Sequence, residues 1–288
     1  NPNFSAATYA VIAVLIGTYA YKSNYSRILK VLIYSLTTYV VLIIFWTNAK
    51  QGLIALFFGY ATYLLLYLYI TRNKLAAPVF LIFLISSLLI VLGMLQSGPL
   101  KTFLYKDSVS LRGYYWRAGI QMFKDNFMFG VGLDSYGDFF KQYRERQYPY
   151  TRGFDITSTN AHNTFIQHFA TGGIFVGTLY VLILAIVVFK IFKFMKTIRS
   201  AFSVKESNQY TFQIISLFSA LIAFHAQSFV SIDNLGIGIL GWFLTASILG
   251  CLEIIRKSEV SETFRTVANR SEEHTSELQS RVDISYAV

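Results

Sequence analysis

His162 stands in Asn160-Ala161-His162-Asn163, where a long polar stretch gives way to an apolar run. An imidazole with an ordinary pKa near 6.5 can take a proton from a hydroxyl at neutral pH. A helix-capping or packed imidazole would fit the same place. Lys50, in Thr47-Asn-Ala-Lys50-Gln-Gly52, closes an earlier apolar run, and there a lysine is either an anchor snorkelling to the interface or a ligand group for an anion. Residues 96–163 carry nine Lys or Arg, among them Lys101, Lys106, Arg112 and Arg117, against six acids, with many aromatics between them. This mixture suits an anionic, sugar-bearing or lipid-linked ligand better than a solvated tether. Asp134 and Asp138 are the nearest approach to a paired-Asp metal motif, and the expectation is no metal and no cofactor.

The elements that must position these residues are membrane spans. At 54% hydrophobic and 17% aromatic residues, with mean hydropathy +0.47, the chain lies outside the soluble globular range. Apolar runs cover about 4–21, 28–48, 53–70, 75–95, 164–189, 210–230 and 235–255, and several reach the roughly 20 residues that a bilayer requires of a helix. The fold class is therefore all-α, a polytopic membrane bundle of about seven spans. Basic clusters fall at every second junction: Lys22/Arg27/Lys30, Arg72/Lys74, Lys190 to Lys205, and Arg256/Lys257. The positive-inside rule turns these junctions to the cytoplasm and turns the long loop, the Lys50 turn and the Asp233-Asn234 turn outward.

The expected division is 1–95 as N-terminal spans, 96–163 as the extracytoplasmic loop, 164–257 as C-terminal spans and 258–269 as a cytoplasmic tail. The chain opens at Asn1 without a Met, so further spans are expected upstream. Residues 270–288 begin with a stretch that resembles a translated sequencing adapter, and they are expected to lie outside the fold. Acids are nearly absent from the spans, which disfavours an ion-coupled transporter. His225, with Gln227 and Ser228, is the one polar cluster inside a span, read as a buried imidazole making an interhelical hydrogen bond.

Within the loop, Leu111, Tyr115, Ala118 and Met122 recur at helical spacing, as do Trp116, Ile120 and Phe123. An amphipathic helix is expected from caps at Ser108 or Ser110 to near Gly130, lying at the membrane surface with its aromatics at headgroup depth. Phe129-Gly-Val-Gly-Leu-Asp134 reads as a tight turn whose glycines allow close backbone approach. Residues 144–149 read as a solvated charged loop, and His168 as structural.

Arg112-Gly-Tyr-Tyr-Trp116, Phe129-Gly-Val-Gly-Leu133 and His162-Asn-Thr-Phe-Ile-Gln-His-Phe-Ala-Thr-Gly-Gly173, in that order after several spans, resemble the O-antigen ligase and O-antigen polymerase superfamily. The turn at Lys50 is similar to the family's Ser-Arg-Gly element, with Lys where Arg is usual and Ala49 where Ser is usual. The resemblance covers about residues 40–250.

It implies a metal-independent glycosyltransferase of polysaccharide or lipopolysaccharide biosynthesis in the bacterial cytoplasmic membrane, with its site facing outward. The donor would be an undecaprenyl-diphosphate-linked glycan and the acceptor a glycan, lipid or protein hydroxyl, with membrane lipids around it and no nucleic acid. Arg112 and Lys50, with Arg117, would hold the diphosphate, and His162 would activate or position the acceptor hydroxyl. Trp116, Asn160, Asn163, Gly130 and Gly132 would support them. Fixed cations can stabilise a diphosphate leaving group without a metal, and Arg grips phosphate with a planar fork where Lys offers a point charge. Two other classes remain open. A transporter or flippase of lipid-linked or anionic polysaccharide would line a membrane route with charge. A structural or sensory protein would scatter Arg112, His162 and Lys50.

Overall fold

The computed structural model describes residues 2–47, 49–94, 98–104, 107–201, 209–232 and 234–257. Gln96, Lys106, Lys205, Asp233 and everything from Ser258 onward, including the tail and the adapter-like segment, lie outside the described residues. All regular structure among the described residues is helical. The helices are α1 (Pro2–Tyr21), α2 (Arg27–Trp46), α3 (Lys50–Ile70), α4 (Ala76–Met94), α5 (Lys101–Leu104), α6 (Asp107–Asp125), α7 (Tyr136–Tyr143), α8 (Tyr148–Arg152), α9 (Thr164–Ala201) and α10 (Gln209–Ser228). A further helix, α11 (Leu235–Lys257), follows them. Seven of them are long and apolar enough to cross a membrane: α1 to α4, α9, α10 and α11. The chain divides into two compact units, residues 1–245 and residues 246–288. Of the second, residues 246–257 are described, and there Arg256 pairs with Glu253 one turn away.

In the first unit α1, α3 and α10 form the centre of the bundle. Small residues let them approach: a side chain at Gly59 would run into Val14 and Ala223, and one at Gly52 into Ile44 and Ala6. Close backbone approach replaces the hydrophobic drive that lipid cannot supply between helices. α2 and α4 lie outside this centre and present exposed Ile28, Leu32, Phe80 and Leu88, surfaces that suit a lipid solvent.

Lys50 is not in a turn after α2. It is the first residue of α3, following Ala49, whose backbone is extended. α3 and α10 run antiparallel, since Tyr67 meets Phe212 and Gly59 meets Ala223. Lys50 therefore lies at the end of the bundle where α10 finishes. At the opposite end Lys22 stands over the Tyr67 and Phe212 rings, Arg199 stacks on Tyr69, and Arg72 donates to the Arg199 carbonyl. Three basic junctions thus gather on one side.

The loop is more structured than one amphipathic helix. α6 starts at Asp107, so Ser108 and Ser110 fall inside its first turn, and their side chains lie outside the described residues. The helix ends at Asp125 rather than near Gly130. Tyr115, Ala118 and Met122 do not form an open surface. They are buried with Tyr136, Phe140, Tyr148 and Ala161 in a core of the loop's own. Periodicity showed that this face is apolar but not what covers it, and the cover comes from α7 and α8. The charged stretch at 144–149 is likewise anchored: Tyr148 is fully buried, Arg117 pairs with Glu145, and Arg144 donates to the Phe154 carbonyl at 3.0 Å.

Candidate functional site

α9 is two helices joined at Gly173, whose φ of 64° and ψ of −160° break the helical path. The residues before the break form a short helix capped by Asn163, whose Oδ1 accepts from the Ile166 amide at 3.1 Å. Its Nδ2 donates to the Phe229 carbonyl at 3.0 Å, tying this helix to the end of α10. The glycine turn docks on the break from the other side. Val131 N donates to Ala170 O (2.9 Å), Gly132 N to Thr171 O (3.1 Å) and Ile174 N to Phe127 O (2.8 Å). A Cβ at Gly130 would strike the backbone of 170–172, and one at Gly173 the backbone of 128–129. The two glycine motifs are therefore halves of one backbone-to-backbone joint, which fixes the loop on α9.

On this joint His162 adopts φ 51°, a left-handed conformation that few non-glycine residues take. Asn160 Oδ1 holds it by accepting from the His162 amide at 3.2 Å, while Ala161 N donates to Gln167 Oε1 at 2.8 Å. The imidazole stacks on Tyr115, ring centres 5.3 Å apart, and Trp116 Nε1 makes a long 3.5 Å contact with the His162 carbonyl. Among the described residues no hydrogen bond engages the ring nitrogens of His162. Burial, and after it the charge of Arg112, push its pKa down to about 4, so the ring is neutral at physiological pH.

Arg112 lies one turn before Trp116 on α6, close enough to act on His162. Burial lowers its pKa from the ordinary guanidinium value, yet among the described residues no carboxylate pairs with it. A guanidinium stays charged in such a place, and desolvating it unpaired is costly. Arg117 is elsewhere: it bonds Glu145 and lies over the Tyr114 ring. Lys50 shares the His162 end of the bundle through α10 and Phe229, as the first residue of α3. The structure thus brings together Arg112, Trp116, Asn160, His162 and Asn163, builds their support from Gly130 and Gly132, and diverts Arg117.

A cleft of about 310 Å³ opens beside His162, lined among others by Asp134, Asn160, Gln167, His168 and Thr171. His168, read from sequence as structural, belongs to this lining. The signal for it was present: Thr164, Gln167, His168 and Thr171 recur at helical spacing, a polar stripe on an apolar run. His225 differs from expectation as well. Its Nδ1 is buried without a partner among the described residues, and Phe165, Tyr180 and Phe224 surround the ring.

Among curated proteins, none matches the chain. Residues 34–181, just over half of it, match the family model described as O-antigen ligase, and that stretch takes in Lys50, Arg112, both glycine motifs and His162. The chain belongs to the O-antigen ligase family.

Proposed function

We propose that this integral membrane protein transfers or polymerises a glycan carried on undecaprenyl diphosphate, at the outer face of the bacterial cytoplasmic membrane and without a metal. One observation carries the proposal: the desolvated guanidinium of Arg112, which no carboxylate among the described residues pairs with, beside the neutral imidazole of His162. A diphosphate is the anion that a planar fork of donors fits, and its charge would offset the cost of burying Arg112. The acceptor hydroxyl gives its proton to a ring nitrogen of His162 as its oxygen bonds the anomeric carbon. The bond from that carbon to the diphosphate breaks, and Arg112 stabilises the charge that grows on the leaving group.

Donor binding and base strength are coupled in this scheme. A diphosphate on Arg112 cancels the positive field that helps hold the His162 pKa low, so the base strengthens once the donor is in place. Lys50, at the same end of the bundle, supplies a second point charge to the diphosphate. Arg117, committed to Glu145, is left out.

The test gives purified protein an undecaprenyl-diphosphate glycan with candidate acceptors, and compares it with His162→Ala and Arg112→Ala. Glycan transfer with release of lipid diphosphate is expected from the parent chain. Each variant should lose 10²-fold or more in kcat, the scale of a missing general base or transition-state donor. Transfer that survives loss of His162 would remove it from the mechanism. Movement of the lipid-linked glycan across liposomes, with no transfer to any acceptor, would replace the enzyme by a flippase.

A further inference from the structure

The cleft beside His162 differs in character from the ground around Arg112. Its lining holds hydroxyls, amides, a carboxylate and two imidazoles beside Leu133 and Ile232, and among the described residues no Lys, Arg, Phe, Tyr or Trp. A surface that carries a carboxylate and no cation does not attract an anion. It offers many donors and acceptors to a neutral polyhydroxylated ligand.

Three features mark it as a built site. First, Asp134 and His162 both line it, and they are two of the three non-glycine residues with positive φ among the described residues, at 62° and 51°. Left-handed strain in two residues of one cleft is held in place by the surrounding structure. The glycine joint fixes Asp134 and the Asn160 side chain fixes His162. Second, Thr164 Oγ1, on a residue 3% exposed that lines the cleft, finds no hydrogen-bond partner among the described residues. Third, Asp134 makes no ion pair or hydrogen bond among the described residues, so both carboxylate oxygens remain available as acceptors.

Resting on the function proposed above, we infer that this cleft is the acceptor subsite, and that it takes a neutral sugar ring anchored through two hydroxyls to the Asp134 carboxylate. An ionised carboxylate accepts from two hydroxyl donors at once, which a vicinal diol supplies. The arrangement places sugar hydroxyls next to His162, the proton acceptor, while the donor's diphosphate is held at Arg112. Donor and acceptor are thereby sorted by charge: the anion goes to the cation, the neutral ring to the carboxylate.

The experiment uses the full chain in lipid nanodiscs, with methyl glycosides of glucose, galactose and N-acetylglucosamine as one set of probes and undecaprenyl diphosphate as the other. Saturation-transfer NMR, blanked against empty nanodiscs, reads glycoside binding. Asp134→Asn is the variant, since Asn tolerates the left-handed backbone and keeps the side-chain shape. At least one glycoside is expected to bind, and Asp134→Asn should weaken it roughly tenfold or more, the scale of lost hydrogen bonds to a charged group. The loss should be confined to the glycosides, with the melting temperature kept. No glycoside bound by the parent chain, or equal binding by the variant, overturns the inference. Glycoside binding without any binding of undecaprenyl diphosphate would leave the cleft standing and remove the donor proposed above.

Discussion

His162 carries an energetic cost that reports its surroundings. Its folded pKa of about 4 lies below the ordinary 6.5 of an unfolded histidine. As pH falls from 6.5 towards 4 the unfolded chain takes up this proton first, so stability falls with acid across that window and levels off below it. The loss is on the order of 2 kcal/mol, allowing for the ring's partial exposure. His162→Asn, which suits the left-handed backbone, should flatten this part of the profile. Melting temperatures of parent and variant in detergent between pH 7.5 and 4 provide the check. Parallel curves would mean that His162 is neither desolvated nor under the field of Arg112. The same two residues show the limit of reading residues singly. Arg112 and Arg117 look alike in sequence, and Glu145, 28 positions further on, separates them by pairing with one.

At the scale of elements, the joint between the glycine turn and α9 governs where His162 and Asp134 sit. Gly173 has a φ/ψ pair that other residues hardly populate, and a Cβ there would meet the Phe129 amide at 2.6 Å with nothing flexible to yield. Gly173→Ala should destabilise the protein by about 3 kcal/mol or more and abolish transfer, whereas Gly250→Ala, with nothing within 4 Å, should be neutral. Thermal unfolding of both variants tests this, and wild-type melting by Gly173→Ala would show that the joint does not hold the loop. The span at 164 was legible from hydropathy, because twenty apolar residues announce themselves. Its break was not, since Gly172 and Gly173 in an apolar run look like ordinary helix-packing residues. The loop core escaped for another reason. α7 and α8 are eight and five residues long, too short to show a period, and their partner face on α6 looked equally fit for lipid.

For the whole molecule, the bundle has two chemically different ends. Lys22, Arg72 and Arg199 gather at one, while His162, Asn163 and the start of α3 lie at the other. The alternation of basic junctions made this polarity readable from sequence, because each crossing reverses the side and charge marks every second turn. The positive-inside rule then predicts that the Lys22 end faces the cytoplasm and the cleft faces out. Cysteine labelling tests the assignment directly, since Cys251 is the chain's one cysteine and Cys251→Ser clears the background. In that background Tyr150→Cys, at an 81% exposed site on the loop, should react with a membrane-impermeant maleimide on intact spheroplasts. Lys74→Cys, exposed at the basic end, should react only after permeabilisation. The reverse pattern would put the cleft in the cytoplasm, where a nucleotide-linked sugar, rather than one exported on a lipid, would be the donor within reach.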